Sequence, residues 1–159
     1  MDLYIVGSVD KNDYRLLESW ANVYSVSDDK LELVMKKAYE STRDCAFFVV
    51  NKSANDFLSL AKRIDINFKE FFTILDEIHE YSRETGIPKL VSSPQCAVIN
   101  PKFSDLFGKK LGLSTTHINR PEHITDINAV YNDDEDKFGP CVSQVTEIEA
   151  RSYGWICDK

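Results

Sequence analysis

Cys45-Ala46-Phe47-Phe48-Val49-Val50 is an unbroken apolar run six residues long, bounded by Asp44 before it and Asn51-Lys52-Ser53 after it. A run this short, rich in aromatic and β-branched side chains, reads as a strand covered on both faces, the kind found in parallel α/β sheets. Forty residues upstream, Leu3 to Val9 forms a second short apolar run, punctuated by Gly7-Ser8 and closed by Asp10, and reads as a buried first strand. Between them, Asn22 to Ser27 carries Val23, Tyr24 and Val26 as a further short strand.

Helical patterns separate these runs. Asn12 or Asp13 can cap a helix on which Tyr14, Leu17 and Trp20 share a face. Asp29 and Glu32 have capping-box spacing, followed by Leu31, Val34, Met35, Ala38 and Tyr39 at helical intervals and by a Glu32–Lys36 pair. Asn55 caps a third pattern, with Phe57, Leu60, Ala61 and Ile64 one turn apart. Asn67 and Glu70 repeat the capping box, and Phe68, Phe71, Phe72, Leu75 and Ile78 then predict an amphipathic helix ending at Gly86 and Pro88. Lys89 to Ser92 and Cys96 to Ile99 read as short strands. Asn100-Pro101 predicts a helix carrying Phe103, Leu106, Phe107 and Leu111, stopped by Gly112. Ile124 to Tyr131 alternates like a strand. Val142, Val145 and Ile148 recur every third residue, which suits neither period.

Strands alternating with helices predict an α/β fold, a Rossmann-like layered domain with a mainly parallel sheet. The 159 residues suffice for one such core. Charge divides the chain further. Residues 1–121 are nearly balanced, with 17 acids and 16 bases, whereas residues 122–159 hold nine acids against three bases and so most of the net charge of −7. The expected organisation is an α/β body at 1–113 with an acidic C-terminal segment at 114–159 packed on it.

The same numbers exclude functions. A net charge of −7 and a pI near 5.0 disfavour nonspecific binding to nucleic acid or to anionic lipid. No apolar run approaches membrane-spanning length, and Met1-Asp2-Leu3-Tyr4 lacks the basic start of a secretory signal, so the expected location is cytoplasmic with free thiols. Cys45, Cys96, Cys141 and Cys157 lack zinc-finger spacing. Cys96, after Ser92-Ser93-Pro94, is the one candidate nucleophilic thiol, without a cysteine-hydrolase signature around it. GxSxG is absent. Asp76 with His79, and His117 with His123, have partial metal-ligand spacing but no further ligands. The run Asn132 to Pro140 fails the EF-hand register, because Phe138 and Val145 fall where oxygen ligands belong. No cofactor, metal or catalytic set is expected.

Two sites remain. Asp133, Asp134, Glu135 and Asp136, flanked by Tyr131 and Phe138, form an acidic stretch with apolar anchors suited to a protein partner with a basic surface. On this reading the protein is a non-catalytic regulator, an inhibitor or adaptor of a larger protein. Its excess of 13 Lys over 6 Arg fits an AT-rich, phage-type genome. The alternative places a small nucleotide- or nucleoside-binding enzyme or sensor at Gly7 and Ser8, the carboxyl end of the first strand, where α/β sheets bind ligands. Leu3-Tyr4-Ile5-Val6-Gly7-Ser8 resembles the start of the nucleoside 2-deoxyribosyltransferase family, in which a short strand ending in Gly and a small residue opens a nucleotide-binding fold. The resemblance ends at Val50. Asn51-Lys52-Ser53 then departs from the family's Glu-Leu-Gly run, so none of its catalytic residues is carried over.

Overall fold

Leu3-Tyr4-Ile5-Val6 lies in the middle of a three-stranded parallel sheet. β1 (Asp2–Val6) pairs with β2 (Asn22–Tyr24) on one side and β3 (Cys45–Val49) on the other, with Tyr4 opposite both Asn22 and Phe47. The computed structural model describes residues 1–7, 21–25, 27, 29–41, 43–84, 87–88, 90, 92–114, 120–122, 125–131 and 133–153. The helix expected around Tyr14, Leu17 and Trp20, together with Ser8, His117, His123 and Cys157, lies outside them.

Two helices cover this sheet. α1 (Asp29–Glu40) buries Leu31, Met35 and Ala38, and α2 (Ala54–Arg63) buries Ala54, Phe57, Leu58 and Ala61. In α1 the expected Glu32–Lys36 pair forms at 2.8 Å, but it is solvent-exposed and adds little. α1 begins at Asp29 itself, which is therefore its first helical residue and not its cap. α2 follows a single 3₁₀ turn at Asn51–Ser53, so Asn55 is inside the helix and caps nothing. The stripes of both helices meet Val6, Ile66, Phe68, Ala97, Phe103 and Leu106 in the main core.

The largest correction concerns Phe68 to Ile78. Phe68–Leu75 is a strand, β4, paired in parallel with β7 (Phe107–Gly112), and only His79–Ser82 (α3) is helical. The phenylalanine stripe fits both periods because an irregularity between Phe68 and Phe72 resets the alternation. Beyond it exposure alternates strictly, with Phe71, Thr73 and Leu75 inward and Phe72 and Ile74 outward. Aromatic and β-branched side chains favour that state once a partner strand is present. Asn67 accordingly caps no helix; its side-chain oxygen accepts the Lys69 N–H at 3.1 Å and turns the chain into β4. A Cβ on Gly108 would collide with the Lys69 carbonyl, which is why glycine sits at the start of β7.

Asn100-Pro101 does start a helix, with the Asn100 side chain accepting from Lys102 N–H at 2.9 Å. That helix is a 3₁₀ segment ending at Leu106, so Phe107 and Leu111 belong to β7. Cys96 to Ile99 is likewise 3₁₀ and not strand. Arg83–Glu84 (β5) and Ile87–Pro88 (β6) make a small antiparallel pair in place of a helix end. Of the strand expected over Ile124 to Tyr131, Ile124 lies outside the described residues, and among 125–131 Ala129 alone pairs, as an isolated bridge to Leu90. A second core joins Leu75, Tyr81, Cys96, Ile99 and Val130, with Phe138 of α4 (Glu135–Phe138) packed against it. Residues on both sides of position 114 therefore share one core. A last short helix, α5 (Glu147–Ser152), is closed by a Thr146/Glu149 capping box. The described residues thus form a mixed helix-and-strand architecture with short parallel sheets, as in a small α/β domain. None of their helices is long and apolar enough to cross a membrane.

Burial sets the expected cost of substitution. Phe103 is 0% exposed and Phe72 is 60% exposed. Phe103→Ala is expected to lower unfolding free energy by about 3–5 kcal/mol. Phe72→Ala should change it by about 0.5 kcal/mol or less. Urea denaturation of both variants measures the difference.

Candidate functional site

At the carboxyl end of β1 the chain passes through Gly7, whose N–H donates to the Tyr24 carbonyl at 2.9 Å. Val50 N–H donates to the Val6 carbonyl at 3.0 Å, and the following turn folds back so that Ser53 N–H reaches the Val50 carbonyl at 2.8 Å. A Cβ on Gly7 would lie 2.5 Å from Val50 Cγ2 and 3.7 Å from Ser53 Oγ. Only glycine lets these segments close on each other. Inside the same turn, Asn51 Oδ1 is sealed from solvent and has no hydrogen-bond partner among the described residues. A buried amide oxygen left unpaired costs about 1–3 kcal/mol, which a bound donor would recover.

Asn51 borders a cleft of about 1220 Å³ between β3 and β4. Phe47, Phe48, Phe71, Phe72 and Ile74 are among its apolar lining. The ring centroids of Phe47 and Phe71 stand 6.3 Å apart, and Tyr4 stacks on Phe47 at 5.0 Å. A wall of rings with few polar atoms suits a flat, partly apolar ligand. Two groups on this wall are held protonated. Burial, and then Asp2 and Asp44, push the Cys45 thiol up, and burial, followed by Cys96, Glu80 and Asp76, pushes the Tyr81 phenol up to about 12. Cys45 is therefore no thiolate nucleophile.

The carboxyl ends of β4 and β7 bring Glu77, His79 and Ser114 together. His79 Nδ1 is 2.9 Å from Ser114 Oγ and 3.2 Å from Glu77 Oε2. Both oxygens address one ring nitrogen, so the imidazole does not relay a proton between them as a serine-hydrolase triad requires. Asp76 turns away to accept the Glu77 N–H at 3.0 Å. Cys96, the candidate thiol, is fully buried and points its Sγ at the Tyr81 carbonyl, 3.6 Å away. Among the described residues no three His, Cys, Asp or Glu side chains gather as a metal site would need.

Within the acidic stretch, Asp134 is turned inward, while Asp133, Glu135 and Asp136 are exposed. Asp134 accepts from Arg120 Nη2 at 3.0 Å, Lys137 Nζ at 2.8 Å and Tyr131 N–H at 3.2 Å. Asp133 accepts the Arg120 backbone N–H. The guanidinium also donates to the carbonyls of Asp126 and Ala129 and lies 4.9 Å above the Tyr131 ring. Tyr131 is 4% exposed, and Phe138 packs on Tyr81, with ring centroids 6.4 Å apart. Tyr131 is buried beneath this loop, and Phe138 is partly buried against the second core.

Sequence spacing drew attention to Gly7 but not to Asn51, whose only local mark is a glycosylation-type tripeptide. Arg120 was also missed, since its partners lie 6 to 14 residues away and share no periodicity with it. No protein-family model, curated protein or solved structure matches the chain.

Asp134 ties this loop to pH. Partial burial pushes its carboxyl up, but the bonds from Lys137, Arg120 and the Tyr131 N–H outweigh that and leave it below its ordinary value. A carboxyl depressed on folding stabilises above the ordinary carboxylate range, and the gain is lost as pH falls below it. Arg120→Ala is therefore expected to cost about 1.5–3 kcal/mol at neutral pH. The difference from the parent should be smaller at an acid pH below the ordinary carboxylate range than at neutral pH, because Asp134 takes up its proton as pH falls. Urea titrations at the two pH values check the sign.

Proposed function

We propose that the protein is a small-molecule-binding α/β domain that takes a nucleoside- or nucleotide-type ligand at the carboxyl edge of β1 and β3. The carrying observation is Asn51 Oδ1, a buried acceptor without a donor among the described residues, in the turn against Gly7 and on a residue that also lines the aromatic cleft. An exocyclic amine or a sugar hydroxyl supplies the missing donor, and the phenylalanine rings supply a stacking surface for a base. Strand order lends weight. β1 lies between β2 and β3, and such points of reversal are where open parallel sheets hold ligands. The reading is of binding, as a sensor or the binding half of an enzyme; the described residues offer no proton relay on which to build a reaction.

Thermal unfolding with adenosine or AMP tests this. Ligand at 100 times its dissociation constant should add about 2.7 kcal/mol of stability. Asn51→Leu should abolish that gain while leaving the ligand-free protein at least as stable, since the unpaired oxygen is gone. No shift with any nucleoside or nucleotide at millimolar concentration overturns the reading.

A regulatory role through the acidic surface is the second reading, and it rests on fewer groups than the sequence offered. Glu135 and Asp136 are exposed, and Ile127, whose carbonyl Lys137 holds at 3.1 Å, presents an exposed apolar side chain nearby. Docking to a basic protein surface would use these three residues together with the exposed Asp133, with Asp134 occupied internally. Glu135→Gln combined with Asp136→Asn should then slow association with a captured partner and flatten its salt dependence. Unchanged kinetics would remove this reading and leave the first untouched.

A further inference from the structure

We infer that the segment carrying Val142, Val145 and Ile148 is a strap that swings on Gly139 and closes over the apolar cleft between β3 and β4. Two uncovered apolar surfaces of one chain lie within reach of each other. On the cleft, Phe48, Phe72 and Ile74 are each more than half exposed; on the segment, Val142 and Ile148 are about four-fifths exposed and Val145 nearly half. A sheet in an α/β layer needs both faces covered, and α1 and α2 supply cover for the main core alone.

Tethering and reach favour the chain's own segment as the occupant. Phe138 is fixed against Tyr81, and Tyr81 itself borders the cleft. The strap therefore starts beside a residue that lines the cleft. Val142 is four residues beyond that anchor, a span of up to about 14 Å, and Val145 extends it by about 10 Å more. Together these cover a strand the length of β4, which rises about 3.3 Å per residue. Gly139 has φ +79°, with no atom within 4 Å of where a Cβ would stand, so the pivot is conformationally special but sterically open. Residues 141–146, Cys-Val-Ser-Gln-Val-Thr, carry no charge and can lie on an apolar wall without burying an ion. The Thr146/Glu149 capping box satisfies the start of α5 from within, leaving Ile148 free to turn to the wall. A closed strap covers rings that the proposed ligand would stack on, so the two compete for this wall and closure is tested on the ligand-free protein.

The test is methyl NMR on the intact, dilute protein. Closure predicts nuclear Overhauser contacts from the Ile148 and Val145 methyls to the Phe48 and Phe72 rings, with ring-current shifts of those methyls. Ile148→Asp should remove the shifts at Val145. Methyls at random-coil positions without such contacts overturn the proposal. Contacts seen solely between differently labelled copies overturn it too, since they assign the face to a second molecule.

Discussion

The parallel pairing of β1 with strands on both sides is the constraint on which the rest depends. It fixes Val6 at the centre of the main core and places Gly7 where two neighbouring segments converge. Because Gly7 has no side chain, Val50 can approach it, and the turn that follows is tight enough to bury Ser53 and strand the Asn51 oxygen. Larger residues at position 7 would push that turn outward and dissolve the site with it. Fold and candidate function thus meet in one missing methyl group.

The acidic end illustrates how composition and structure part company. Counting charges gives a strongly negative terminal quarter, yet its central carboxylate is the hub of a buried-side network made by Arg120 and Lys137. Asp134 holds the loop that carries Val130 into the second core, so part of the apparent surface charge is spent on keeping two segments together. The carboxylates left facing solvent in this stretch are those of Asp133, Glu135 and Asp136.

Legibility in the sequence followed the range of the forces involved. β1, β3 and α1 could be read because each is set by its own residues: a continuous apolar run, or a stripe at 3.6 spacing. The Asn100 cap was legible for the same reason, although the 3₁₀ character of its helix was not. β4 defeated periodicity because Phe68, Phe71, Phe72 and Leu75 match a helical face as well as an interrupted strand, and what decides is β7, more than thirty residues away. Asn51 and Arg120 are significant through tertiary neighbours alone. Gly7 was legible as a turn residue, but the unpaired oxygen beside it was not.

Both parallel sheets are assembled from distant partners: Asp2 faces Cys45, and Phe68 faces Phe107. Neither pairing rewards the chain until a long loop has closed, so the entropic cost precedes the gain and assembly should be slow for a domain this small. During synthesis, β4 must wait for β7 to emerge with its phenylalanines uncovered. The interval between the two is when this polypeptide is most exposed to aggregation.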